Sequence, residues 1–206
     1  MEVIFSALFW ALFATILACV EIESEGKFGW AQMAPTWYRT TGWPARLYGL
    51  FMGGKPLTGY HLFMFFLPVF IFHAHFFMGI EWSVAQEFKA WAMYFAWCIL
   101  WDYHWFVLNP FYRGKFSQQH IWWHAKSYWM ADIFPFDYAV GWGFSIVFAA
   151  LASTFGSVDF LDHHLRILTC FAAYTIILHK LAPFYHAWYT KMRERDDRDS
   201  ADIFHR

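Results

Sequence analysis

The sequence has few charged residues and almost no net charge. Asp, Glu, Lys and Arg make up 15% of its 206 residues, and the formal net charge at pH 7 is -1. Such a balance gives no indication of a nucleic acid partner. The sequence is also poor in the polar residues that cover a soluble domain, because 59% of it is hydrophobic and 25% is aromatic. These shortages favour a membrane protein.

Cysteine is scarce, and nothing divides the chain into separate domains. Cys19, Cys98 and Cys170 lie inside apolar runs, at a spacing that matches neither a disulfide framework nor a zinc site. The sequence has no Gly/Ser-rich linker, no low-complexity tract and no internal repeat. It therefore predicts one integral membrane domain over residues 1–206, with free thiols.

Five apolar segments approach the ~20 residues that a bilayer core requires. They cover residues 3–20, 61–80, 88–108, 138–155 and 166–189. The aromatic segment 38–55 contains several basic residues, so it is predicted to lie along the membrane surface. The expected fold is an all-α polytopic membrane bundle of about five transmembrane helices.

Basic residues are distributed unevenly between the connecting segments. Loops 21–60 and 109–137 and the charged tail 190–206 contain most of them. The opposite side has only Lys89 and Arg166, each at the start of a predicted span. The positive-inside rule then places the basic side in the cytoplasm and the N-terminus outside. The predicted location is the cytoplasmic (inner) membrane, crossed several times.

Carboxylates and imidazoles from several segments converge on the predicted cytoplasmic side. Ionisable groups close to hydrocarbon are costly unless they are paired, solvated or bound to metal. Mixed imidazole and carboxylate ligation suits zinc and non-haem iron. The predicted metal ligands are Glu21, Glu23, His61, Asp102, His120, His124 and His186. The predicted catalytic residues are Asp102, His104 and Asp137.

The acidic residues after the first span predict its end. Glu21 and Glu23 are two residues apart, so both can point inward only if the helix has already frayed. Glu25 is interpreted as a solvated charge.

His120 and His124 form a His-x-x-x-His pattern beside a predicted membrane span. The pattern resembles the first histidine box of membrane fatty-acid desaturases and hydroxylases, which use a histidine-bound di-iron centre. The further His-x-x-His-His boxes of that family are absent. The segments EIESEGKFGWAQMAPTW, KPLTGYH, WFVLNP and IWWH are also similar to small bacterial and archaeal membrane proteins of unassigned activity, a similarity that implies no particular function.

A haem site is an alternative interpretation of the same histidines. The pairs His61/His75 and His164/His179 each span about four helical turns, as in di-haem cytochromes b. Because the second and fifth spans run antiparallel, His61 would pair with His179 and His75 with His164. A further polar cluster on the outer side is interpreted as solvated, and a second site there is left open. It comprises His73, His75, Asp159, Asp162, His163 and His164.

The favoured hypothesis is an integral membrane metalloenzyme with a cytoplasm-facing site. We expect oxygen-dependent hydroxylation or desaturation of a lipidic or small apolar substrate at iron, with one or two metal ions. The expected partners are membrane lipids and an electron-donor protein. The alternatives are a di-haem cytochrome b subunit, a zinc-dependent hydrolase and a non-catalytic subunit of a membrane complex.

Overall fold

The computed structural model of the chain describes residues 1–32, 34–113, 115–121, 128–131 and 133–194. Within these residues the fold is all-α apart from two pairs of very short antiparallel strands. The helices are α1 (Glu2–Glu25), α2 (Trp43–Phe51), α3 (Gly59–Phe77), α4 (Val84–Leu108), α5 (Phe136–Thr154) and α6 (Phe160–Arg193). The paired strands are β1 (Tyr38–Arg39) with β2 (Leu57–Thr58), and β3 (Trp129–Met130) with β4 (Phe134–Pro135). The predicted all-α fold class is confirmed.

Four helices, α1, α3, α5 and α6, are long and apolar enough to cross a membrane. They expose large apolar side chains on their outer faces, for example Phe5 and Phe9 on α1 and Phe70 on α3. Apolar surface of this extent is unfavourable in water and favourable in lipid. The structure is therefore compatible with a membrane location.

α4 is the central helix and packs against α1, α3, α5 and α6. It is not among the four helices that are long and apolar enough to cross a membrane. The reason is its content of Trp, Tyr, His and Asp side chains, many of which face neighbouring helices. Trp97 is fully buried, donates its indole N–H to the Trp10 carbonyl at 2.9 Å, and stacks on Phe13. Trp97 and His104 are thus polar side chains of α4 that are buried inside the bundle.

α1 continues through the acidic segment that was predicted to end it. The helix reaches Glu25 and stops at Gly26, whose φ of 68° is one that glycine adopts at little cost. Continuous helix places Glu21 and Glu25 four residues apart on one face and turns Glu23 away from them. This extension of α1 creates the arrangement described below.

α6 is longer than the predicted span 166–189. Its 34 residues correspond to a length of about 51 Å at 1.5 Å per residue, compared with about 30 Å for a hydrocarbon core. A helix of this length extends beyond the core or crosses it at a tilt. Its last turns, up to Arg193, pack beside the C-terminal end of α1.

Candidate metal centre

Three buried side chains meet where the end of α1 approaches the start of α3. Glu21, Glu25 and His61 each offer one ligand atom, and these atoms all lie within 4.8 Å of one another. The three residues are 9%, 3% and 4% exposed, respectively. Two carboxylates and an imidazole are common ligands of divalent transition metals. Buried carboxylates this close together are unfavourable unless a proton or a cation compensates their charge.

Thr58 fixes the position of His61. Its hydroxyl caps the N-terminus of α3 by accepting the His61 backbone N–H at 3.0 Å, and it also lies 2.8 Å from His61 Nδ1. When Nδ1–H donates to this hydroxyl, Nε2 carries a lone pair directed at the carboxylates. His61 Nε2 lies 3.3 Å from Glu25 Oε1. Metal-binding histidines usually donate a hydrogen bond from the ring nitrogen that does not bind the metal, here Nδ1, and this bond fixes the orientation of the ring.

The loop after α1 contacts two of the three side chains, Glu25 and His61. The Ala31 backbone N–H donates to Glu25 Oε1 at 2.5 Å, and the Trp30 ring stacks on the His61 imidazole at 4.3 Å between centroids. Both Trp30 and Ala31 have positive φ angles, 50° and 52°. Such backbone costs on the order of 1–3 kcal/mol per residue and is found mainly where a site requires it. The loop conformation is therefore tied to the placement of Glu25 and His61.

A small cavity adjoins the three ligands. Its volume is about 70 Å³, which is room for an ion and a few water molecules. The lining residues are Glu21, Glu25, Trp30, His61, Phe65, Cys98, Trp101, Asp102 and Trp105. The Trp101 indole N–H is buried beside the Glu21 carboxylate and interacts with it as a hydrogen-bond donor.

Asp102 is the fourth acidic or imidazole group facing the cavity. Its carboxylate accepts a short hydrogen bond from the Tyr138 hydroxyl of α5. It does not belong to the 4.8 Å cluster, but its charge acts on both Glu21 and Glu25. Asp102 thus adds negative charge to the lining of the cavity and could contact a bound metal ion directly or through a water molecule.

Lys55 lies in the segment between α2 and β2 and contacts the loop that holds Trp30. Its ammonium group sits 4.4 Å from the centre of the Trp30 ring. Burial lowers the pKa of Lys55, while the charges of Asp102 and Asp137 act in the opposite direction. The charge of Lys55 also acts on His61.

Several predicted ligands lie apart from this cluster. Glu23 is 58% exposed and pairs with Arg193 at 3.1 Å. His120 is exposed and bonded to the Ser117 hydroxyl at 2.7 Å. His186 donates from Nε2 to the Val107 carbonyl at 3.0 Å. His124 lies outside the described residues, so the predicted His-x-x-x-His pair has no described geometry.

The other two predicted catalytic residues occupy different surroundings. His104 is fully buried between helices, with Nδ1 3.2 Å from the Thr15 hydroxyl and Nε2 3.0 Å from that of Thr175. This bonding links α4 to α1 and α6. Asp137 is exposed in the first turn of α5. Its link to the site is the electrostatic interaction of its carboxylate with Lys55.

The four histidines of the haem hypothesis have separate polar partners. His75 Nδ1 bonds to the Phe72 carbonyl at 2.9 Å, and His164 Nε2 lies 2.6 Å from the Ser145 hydroxyl. His179 Nε2 lies 2.9 Å from the Tyr103 hydroxyl, whereas His61 faces Glu25. α3 packs against α4, while α6 packs against α1, α4 and α5. The arrangement favours the Glu/Glu/His cluster over facing histidine pairs.

On the predicted outer side, two residues of the polar clusters form ion pairs. His73 Nε2 lies 3.2 Å from Glu87, which also accepts the indole N–H groups of Trp82 and Trp91. Asp162 pairs with Arg166 at 2.8 Å. No group of three metal-ligating side chains is found there among the described residues.

Glu25 is the site residue that the sequence interpretation missed, and its assignment as a solvated charge is wrong. The available signal was the four-residue spacing between Glu21 and Glu25, which becomes informative only if the helix continues. Comparison of the chain with protein-family models, curated proteins and solved structures gives no match. Function is therefore inferred from the geometry of the site.

Substitution of Thr58 tests the support of His61. Thr58→Val keeps the shape of the side chain but removes the hydroxyl that caps α3 and bonds His61 Nδ1. We expect a loss of about 10–100-fold in divalent metal affinity and of about 1 kcal/mol in stability. Metal titration and thermal unfolding of the purified protein measure the two effects. Thr58→Ser should retain both, and unchanged metal affinity in Thr58→Val would contradict the role of Thr58.

Proposed function

We propose that the chain is an integral membrane metalloprotein in which Glu21, Glu25 and His61 bind a divalent transition metal ion. The observation that carries this proposal is the convergence of three buried ligand atoms within 4.8 Å. A divalent cation compensates two buried carboxylates without protonating them. The Asp102 carboxylate supplies further negative charge beside the same cavity.

The proposed membrane arrangement has five spans, with α4 as the fifth span in addition to the four apolar helices. The central position of α4 supports this proposal, because its polar side chains face other helices rather than lipid. Uneven distribution of Lys and Arg supports an N-terminus outside and a cytoplasmic C-terminus in the inner membrane. The metal site then lies at the cytoplasmic end of the bundle.

Topology is tested by labelling single cysteines with a membrane-impermeant maleimide in intact and opened cells. We expect a cysteine at Ser200 to react only after the membrane is opened, and one at Ser157 to react in intact cells. These positions flank α6 on its two sides. Labelling of position 200 in intact cells would overturn the orientation.

The reaction class that the site supports best is oxygen-dependent oxidation of a lipidic or small apolar substrate at iron. Mixed Glu/His ligation that leaves coordination positions open suits oxygen chemistry at iron. The aromatic walls formed by Trp30, Phe65, Trp101 and Trp105 limit the access of bulk water. Iron enzymes of this class need electrons from outside the chain, so a donor protein is part of the proposal.

Metal analysis of the purified protein tests the function directly. Protein extracted in detergent should contain about one iron per chain or more, and the reduced, iron-loaded protein should consume oxygen in lipid vesicles. Zinc in place of iron, without oxygen consumption, would replace oxidation by metal-assisted hydrolysis. A Soret absorption band would establish the haem alternative. Absence of stoichiometric metal after reconstitution would overturn the proposal.

A further inference from the structure

A second, larger concavity lies on the opposite flank of α4 from the metal cavity. This groove has a volume of about 690 Å³ and follows the C-terminal part of α6 past the end of α4. It shares no lining residue with the metal cavity. Its length along α6, from His179 to Glu194, is about 22 Å at 1.5 Å per residue.

The groove is apolar at one end and basic at the other. Val107, Ala182 and Pro183 form the apolar part, at the level where α4 ends. Arg113 and Lys191 line the part beyond it. Among the described residues, neither of these two cations has a carboxylate partner. The nearby Arg193, in contrast, is paired with Glu23.

The donors that this groove offers to an oxyanion are the two cations, Arg113 and Lys191. His186 donates its Nε2–H to the Val107 carbonyl, so Nδ1 of the neutral ring is an acceptor and does not bond an oxyanion. One acidic residue, Glu194, lines the outer rim, so the two cations leave an excess of positive charge. An amphiphile with a negative head group and an apolar body matches this distribution.

We propose that this groove binds an anionic phospholipid, with the phosphate at Arg113 and Lys191 and an acyl chain along Val107, Ala182 and Pro183. Arginine and lysine at the end of a membrane helix lie at the level of lipid phosphates, where each contributes attraction to anionic lipid. The inference rests on the membrane placement proposed above and is independent of the metal. It also does not require the lipid to be a substrate.

Native mass spectrometry of the full chain, released from detergent with added lipid, tests the proposal. We expect phosphatidylglycerol to bind at least about tenfold more tightly than phosphatidylcholine of the same acyl chains. In Arg113→Gln/Lys191→Gln this preference should fall to about twofold or less. A matched control, Lys27→Gln/Arg46→Gln, removes the same charges from the same predicted membrane side and should keep the preference.

Two further measurements test whether the acyl chain contributes to binding and whether the groove is only a general anion site. Ala182→Trp fills the apolar part without changing charge and should weaken phosphatidylglycerol binding. Inorganic phosphate at millimolar concentration should not displace the lipid, and displacement would show a general anion site instead. Equal binding of the two lipids by the wild-type protein, or equal loss in the control, would overturn the proposal. Metal content should be unchanged in all these variants, so a failure here leaves the metal proposal intact.

Discussion

Glu25→Gln is expected to abolish stoichiometric metal binding while the protein still folds. Glutamine has the same shape and its carbonyl oxygen can still accept the Ala31 N–H, so the loop after α1 keeps its anchor. The substitution removes only the negative charge and one ligand oxygen. Loss of an outer hydrogen-bond partner alone costs 10–100-fold in metal affinity, so loss of a ligand should cost more than about 100-fold.

The chain offers a matched control for this experiment two residues earlier. Glu23 lies on the opposite face of the same helix and is exposed, so Glu23→Gln makes the same chemical change outside the cluster. We expect Glu23→Gln to retain wild-type metal content, measured by inductively coupled plasma mass spectrometry. A full metal complement in Glu25→Gln, or equal loss in both variants, would rule out Glu25 as a ligand.

The pH dependence of metal binding should follow the same chemistry. Carboxylates and imidazole bind a metal ion only after they lose their protons. Lowering the pH therefore favours protonated ligands and releases the metal, whereas raising it to neutral restores binding. A metal affinity that does not change between about pH 7 and pH 5 would contradict ligation by Glu21, Glu25 and His61.

Asp102→Asn is expected to lower divalent metal affinity by about 10–100-fold. The asparagine carbonyl can still accept the Tyr138 hydroxyl, so the link between α4 and α5 remains. The change removes the negative charge that acts on the two glutamates across the cavity. Metal titration by isothermal calorimetry, with thermal unfolding in parallel, measures affinity and stability separately.

Tyr138→Phe tests whether the effect of Asp102→Asn comes from the lost charge or from a weakened hydrogen bond to Tyr138. It removes the hydroxyl donor but keeps the charge of Asp102, so metal should be retained. If Asp102 is only a hydrogen-bond acceptor, Asp102→Asn should cost about 0.5–1.5 kcal/mol of stability and no metal. That result would remove Asp102 from the proposed site.

The all-α fold class was predictable because long apolar runs have few stable alternatives in a membrane. The convergence of His61 and Asp102 on one cavity also followed from sorting residues by depth along the spans. The role of Glu25 could not be predicted in this way, because it depends on whether α1 frays or continues at residue 21. The continued helix brings Glu25 into contact with the Ala31 N–H and with His61 at the start of α3, and neither contact is visible in the helical propensity of residues 21–25.

The spacing of His120 and His124 predicts a pair of metal ligands, and this stays a prediction because His124 lies outside the described residues. A four-residue histidine spacing has meaning only on a helix, but His120 lies in a turn bonded to Ser117. The contact between Trp30 and His61 could not be predicted from the sequence. Its stacking on His61 depends on a left-handed backbone that no simple propensity predicts.

The central position of α4 has a consequence for how the protein is made. An Asp in the middle of an isolated segment opposes insertion by about 2.5–3.5 kcal/mol, less towards the segment's end. In the proposed five-span arrangement, α4 therefore inserts stably only when earlier and later helices shield its polar face. α1 and α3 emerge from the ribosome before α4, but α5, which provides the Tyr138 partner of Asp102, emerges after it. We expect α4 to remain weakly held during synthesis until α5 arrives, which makes this interval the most vulnerable step for membrane quality control.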